Sequence, residues 1–215
     1  MYPIVFEADY QERQSRLTTF FRGIVAIPWV LLSIFWTLVW FLCSGLAWFC
    51  ILFTGRYPRP LYAAVTASVR WWARYLAWVS LMTDEWPGFG GGPAPGYPIR
   101  ALIPEPQERY DRGLVLIRGI LVIPVYVMIW IYSNVLVPLI AFVLWFTIVF
   151  AGKAPRGLWD VQRMAISYMT RGCAYWGLLT DRWPPLSDSG EDMLPPSPAV
   201  PPQAPAPPQS AYFGG

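Results

Sequence analysis

Leu17-Thr-Thr-Phe-Phe-Arg22-Gly-Ile-Val-Ala-Ile-Pro28-Trp29 leads into a Val/Leu/Ile/Phe/Trp run that ends at Phe53, just before Thr54-Gly55-Arg56. Arg22 is the one charge in these about 37 residues, and about 18 consecutive apolar residues already mark a membrane span. A soluble core has no need of an apolar run this long, so the stretch predicts an all-α membrane protein. Leu114 to Phe150 repeats the design with Arg118 as its one charge. The chain therefore reads as two tandem copies of one membrane unit.

Composition agrees. The chain is 55% hydrophobic and 13% charged, with 13 Trp in 215 residues, where an average soluble domain carries about 25% charge. Its 16 Lys and Arg against 13 Asp and Glu give a net charge of +3, spread around the apolar runs with no nucleic-acid stripe. With no His in the chain, and with Cys43, Cys50 and Cys173 lacking disulfide or zinc spacing, no metal and no cofactor is expected. Glu7, Asp9 and Glu12 precede a run much longer than the apolar region of a secretion signal, so no cleavable signal peptide is expected.

Length poses a problem. One straight helix of about 37 residues would reach about 55 Å, well beyond a hydrocarbon core of about 30 Å, whereas two halves of about 18 residues span about 27 Å each. A transmembrane hairpin in each copy is one solution. Its turn would fall at Tyr132-Ser133-Asn134 in the second copy and, with weaker turn chemistry, at Ser33 to Thr37 in the first. The other solution is a single span, Val30 to Phe53, after an interfacial helix kinked at Pro28. Neither Gly23–Gly55 nor Gly119–Gly152 contains Lys or Arg, so hairpins would leave every basic residue on or near one side. That pattern favours the hairpin, as a multi-pass protein of the plasma membrane with cytoplasmic N- and C-termini.

The flanks repeat as well. Tyr2-Pro3-Ile4 and Tyr97-Pro98-Ile99 each open a short strand, and the two strands are candidates to pair across the copies. The apolar runs exit through Gly55-Arg56-Tyr57-Pro58-Arg59 and Gly152-Lys153-Ala154-Pro155-Arg156. Gly to end a helix and Pro to redirect the chain make these exit turns, with a basic clasp for lipid phosphate as the functional reading. Next comes an amphipathic helix in each copy, carrying Arg70 and Arg74 or Arg163 and Arg171. One reading lays these helices in the membrane interface. It makes Arg56, Arg59, Arg70, Arg74, Lys153, Arg156, Arg163 and Arg171 candidates for lipid headgroups. The other packs the helices on the hairpins, with their arginines paired internally. Both copies close in Thr-Asp-x-Trp-Pro, with Asp84 and Trp86 in the first and Asp181 and Trp183 in the second. Arg22 and Arg118 are in-membrane charges that either snorkel to headgroups or pair with Asp84 and Asp181.

The expected organisation is a first membrane repeat over 1–88, a flexible Gly/Pro linker over 89–96, a second repeat over 97–187, and a disordered Pro-rich tail over 188–215.

Taken in order, Arg22 to Pro28, the run closing in Leu52-Phe53-Thr54-Gly55-Arg56-Tyr57-Pro58-Arg59, the Arg70/Arg74 helix and the Leu-x-Thr-Asp-x-Trp-Pro ending resemble a bacterial integral membrane family, domain of unknown function 4389. The resemblance covers nearly all of both repeats and implies a multi-pass membrane protein with no established activity. The second copy departs from the pattern at Lys153 and Ala154, where the first has Arg56 and Tyr57.

Catalytic residues are not expected: the sequence has no Gly-x-Ser-x-Gly, no phosphate-cradling glycine loop and no acidic residue within either apolar run. The expected function is that of a non-catalytic scaffold or accessory subunit. A small transporter or channel component is the alternative. The expected partners are the lipid bilayer, anionic lipids among its components, and a membrane protein or a second copy of the chain, with no nucleic acid.

Overall fold

The computed structural model describes residues 2–186. The Pro-rich tail expected over 188–215 lies outside the described residues. In order, the elements are β1 (Val5–Ala8), α1 (Arg16–Val25), α2 (Ile27–Thr54), α3 (Arg59–Val79), β2 (Ile99–Leu102), α4 (Arg112–Ile131), a π-helical segment (Tyr132–Leu136), α5 (Val137–Ala151) and α6 (Arg156–Trp176).

The apolar runs do not fold into hairpins. In the first copy Ala26 alone separates α1 from α2, its backbone still in the right-handed region, and α2 continues unbroken through Ser33 to Thr37. In the second, α4, the π segment and α5 form one helix, Arg112–Ala151, of 40 residues. The residues read as a turn are insufficient to make one. Ser33 and Thr37 donate their hydroxyls to Val30 O and Ser33 O, and Asn134 donates to Trp130 O. These polar groups are thus satisfied by the helix's own carbonyls, and nothing compels the chain to leave it.

The π segment has a simple origin. The stretch from Pro124 to Gly152 is one residue longer than the equivalent stretch from Pro28 to Gly55. An extra residue within a packed helix must either turn everything beyond it to a new face or be absorbed locally as a π-bulge. The second copy takes the local solution: the Val137 N–H bonds to Tyr132 O, and the helix resumes.

Three layers result. The two long helices lie antiparallel, Arg16 beside Gly152 at one end and Arg112 beside Gly55 at the other. α3 folds back along α2, α6 packs on α4 and α5, and α3 and α6 pack on each other as a middle layer. The third layer is the two-stranded sheet, lying on α3 and α6. The strands pair across the copies as expected, antiparallel, with Phe6 opposite Ala101. These two residues hold the same place in their copies, counted from Tyr2-Pro3-Ile4 and Tyr97-Pro98-Ile99, so a pseudo-two-fold axis passes between them. A hydrogen bond from Arg70 Nε to Ala101 O, at 3.3 Å, ties the sheet to the middle of α3. The sheet therefore sits over the midpoint of the bundle.

If the π segment absorbs one surplus residue, deleting Asn134 leaves α5 on its face, and the melting temperature stays within a few degrees of the wild type. Deleting Phe35 from α2 has no bulge to remove. It rotates the rest of that helix by about 100° and is expected to yield protein that elutes as aggregate in size-exclusion chromatography.

Candidate functional site: buried arginine clamps behind an apolar face

Each copy holds its long helix to its return helix with one buried arginine. Arg22 Nη1 donates to Trp78 O (2.6 Å) and Thr83 O (3.0 Å), and Nη2 donates to Asp84 Oδ1 (2.5 Å). In the second copy Arg118 donates to Tyr175 O (3.1 Å), Thr180 O (3.0 Å) and Asp181 Oδ1 (2.5 Å). The arginines are 5% and 2% exposed. A guanidinium at such depth is costly unless its charge is paired; here the Nη atoms carry all the bonds, and Nε of each arginine is buried without a partner. Of the two fates open to these arginines, internal pairing is the one adopted.

The terminator motif builds the acceptor side. α3 ends with Leu81 in the left-handed region (φ 68), and α6 ends likewise with Leu178 (φ 63). The Met82 N–H then reaches Ala77 O and the Leu179 N–H reaches Ala174 O, which closes each helix with a Schellman turn. Thr83 Oγ1 accepts the Glu85 N–H, and Thr180 Oγ1 accepts the Arg182 N–H. These turns present two carbonyls and a carboxylate to the arginine. Asp84 also accepts the Ser15 N–H at 2.6 Å, which joins the start of α1 to the clamp. The guanidinium of Arg22 lies over the Trp78 ring at 5.3 Å, and that of Arg118 over Tyr175 at 4.6 Å. Trp86 stacks on Trp78, and Trp183 packs beside Tyr175.

The ends of the long helices are joined across the copies. Gly55 (φ 71) and Gly152 (φ 74) cap α2 and α5 in the left-handed region. Arg112 covers Gly55 and Arg16 covers Gly152, so near that a Cβ at either glycine would lie 3.3 Å or 3.1 Å from the guanidinium Nε. Each arginine thereby reaches the negative end of the neighbouring helix. Lys153 pairs with Glu12 at 3.0 Å, and this hydrogen bond holds the Glu12 carboxyl below its ordinary range. Arg56, Arg59 and Arg156 are exposed. Arg156 also lies over the Tyr10 ring at 5.2 Å.

The remaining headgroup candidates lie within the protein, which corrects the interfacial reading of α3 and α6. Arg74 is buried and donates to Gly90 O (2.5 Å). Arg171 is buried and donates to Ser167 Oγ (2.8 Å). Arg70 is half-buried against Ala101 O, and Arg163 is half-buried. The polar stripe of these helices faces other parts of the chain, because the sheet and the Gly88–Gly96 segment cover it. That segment is not a free linker. Trp36 and Trp71 donate their indole N–H groups to Phe89 O and Gly88 O, and a Cβ at Gly91 would lie 2.2 Å from Ala67 O. Sequence reasoning missed Arg16 and Arg112, Gln14, whose side chain donates to Leu81 O, and Tyr57, whose hydroxyl donates to Gly177 O. The Gly-plus-base exit turns hinted at the first pair, but nothing local reveals which distant arginine covers a glycine.

The outer face of the long helices is left bare. Leu17, Phe20, Ile24, Leu31, Phe41 and Phe53 on one, and Leu116, Ile120, Ile123, Leu139, Phe142 and Phe150 on the other, are exposed. In the most apolar window of each helix, 11% and 22% of residues are buried. Both helices are long and apolar enough to cross a membrane. On the opposite side, Arg100 on β2 pairs with Glu7 and Asp9, both at 3.0 Å. The hydrogen bond to Asp9 raises the arginine's already high pKa further.

The family model described as domain of unknown function (DUF4389) matches residues 16–90 and again residues 112–187. No curated protein and no solved structure matches the chain.

Neutralising one half of a clamp strands a buried charge. Asp84→Asn is expected to cost about 2–3 kcal/mol, below the 3–5 typical of a fully buried pair because Asp84 is partly exposed. Combined with Arg22→Leu, it should show a coupling energy above about 1 kcal/mol in a double-mutant cycle. Strictly additive losses in denaturant unfolding would contradict the clamp.

Proposed function

The chain belongs to this family, in two tandem copies, and from that premise we propose that it is a non-catalytic membrane protein, a scaffold or accessory subunit, seated in one leaflet with its long helices lying along the membrane plane. The observation that carries this reading is the opposition of two faces. Uncharged helix surface fills one side of the molecule along its whole length, and a solvated ion-pair cluster sits over the midpoint of the other.

Geometry favours lying flat over standing upright. The apolar run of the second copy, about 55 Å in one helix, would have to tilt by nearly 60° to fit a core of about 30 Å, and α2, 28 residues and about 42 Å long, by about 45°, both beyond the usual range of 0–40°. Upright, the pseudo-two-fold axis would lie in the membrane plane and carry Arg100, Glu7 and Asp9, with side chains 26%, 30% and 60% exposed, to mid-bilayer depth. Laid flat, the axis stands along the membrane normal and the sheet faces water. The apolar face, about 55 Å by about 20 Å, covers roughly 1,100 Å², above the few hundred Å² typical of the largest patch on a soluble monomer. Helix ends rich in base, with the exposed Arg56, Arg59 and Arg156 among them, then lie at headgroup level, where anionic lipid is the matching ligand.

This seating keeps every basic residue on one side without a hairpin, and so accounts for the charge pattern in a different way from a multi-pass arrangement. A scaffold role follows from what the charged groups do. Asp84, Asp181, Glu12 and Arg100 are each engaged in internal pairs.

Single cysteines replacing Arg13 and Arg56, at opposite ends of the α1–α2 run, test the reading on a cysteine-free background. In intact cells both are expected to react with a membrane-impermeant maleimide only after the cytoplasm is opened. Reaction of one from outside and the other from inside would replace in-plane seating with a spanning helix.

A further inference from the structure

The two long helices do not seal against each other along their whole length. Near the pseudo-two-fold axis they leave a cavity of about 250 Å³ between them. Its floor is formed by paired positions of the middle layer, Trp72 and Leu76 of α3 with Met169 and Cys173 of α6. At one end Trp176 stands between the two walls, 5.3 Å from the Trp40 ring on α2 and 5.5 Å from the Tyr126 ring on α4. Thr37 and Tyr126 are exposed at the mouth, which opens between the long helices.

We propose that this cavity is a binding site for a single alkyl chain, the acyl tail of a lipid. The lining is almost wholly apolar, and of its four hydroxyls three already donate to helix carbonyls, which leaves that of Tyr126 at the mouth. Thr37 donates to Ser33 O (2.7 Å), Ser133 to Trp130 O (3.2 Å) and Thr170 to Ile166 O (2.8 Å). Apolar cavities of about 150 Å³ stay dry and accept a molecule the size of benzene, so this larger one has room for a segment of hydrocarbon chain. The site is also where the two copies differ. The extra residue of the second copy is absorbed at Tyr132–Leu136, and Ser133 of that π segment lines the cavity. Such bulges recur at functional sites. The identity of the occupant rests on the proposed seating, because only then does the mouth open into acyl chains; the shape and chemistry of the cavity do not depend on it.

The test uses the full chain and two photoactivatable probes that carry a diazirine on the same alkyl chain: free palmitic acid, and a phosphatidylglycerol with that chain as one tail. Cross-linked residues are mapped by peptide mass spectrometry, and vesicle flotation is measured in parallel. Labelling is expected within Tyr126–Ser133 and Met169–Trp176. Ala73→Phe, which fills the floor, should reduce it about ten-fold, as should Thr37→Trp, which blocks the exposed rim without entering the core, and flotation should be unchanged. Labelling by the phospholipid alone assigns the chain to a membrane lipid, and labelling by both probes admits a free fatty acid. Equal labelling of wild type and both variants, or labelling confined to outer-face residues such as Phe35 and Ile120, would overturn the site. Loss of wild-type flotation with cavity labelling intact would overturn the seating and leave the site standing.

Discussion

A guanidinium buried inside each long helix decides how the repeat folds. Arg22 and Arg118 are the only charges in about 37 residues of apolar sequence, and a charge in that setting must be matched by acceptors brought from elsewhere. The terminator motif brings them. Its left-handed leucine turns two carbonyls toward the long helix, and its aspartate adds the counter-charge. To make these bonds, α3 and α6 must run back antiparallel to the helices that precede them. That path places both return helices in a middle layer, and the sheet closes over them. With one side so covered, the outer face of the long helices is all that remains for another phase.

Much of this was legible in the sequence, and what was not has physical reasons. The repeat and the cross-copy strand pair follow from residues recurring in register, because the same local chemistry makes the same turn twice, and the Arg–Asp partnerships were one of the two fates that this register left open. That α2 and the Arg112–Ala151 helix run on past the expected turns was hidden by fitting each run to the thickness of a bilayer. Ser33, Thr37 and Asn134 look like turn residues, yet each spends its side chain on a helical carbonyl. The burial of Arg74 and Arg171 was equally hidden. An amphipathic stripe records that a helix has two faces, but what lies against the polar one is set by the tertiary path, here the sheet and the Gly88–Gly96 segment. The cavity is a property of two helices diverging at an axis, and periodicity carries no trace of it.

The two copies are related by a pseudo-two-fold axis perpendicular to the long helices. Inverted repeats whose axis lies in the membrane plane expose equivalent groups on both sides of a bilayer. An axis along the normal instead gives both copies the same depth and the same facing. The midpoint ion pairs among Glu7, Asp9 and Arg100, and the apolar span of the opposite face, point to the second arrangement.

Because α3 runs antiparallel to α2, and α6 folds back along the helix before it, the helices share a common direction, and one orientational measurement reads them together. Polarised infrared dichroism of the amide I band, on full-length protein in aligned bilayers, reports the mean angle between the helix axes and the membrane normal. In-plane seating predicts an angle above about 70°, whereas an angle below about 40°, the upper end of tilts found for spanning helices, would contradict it.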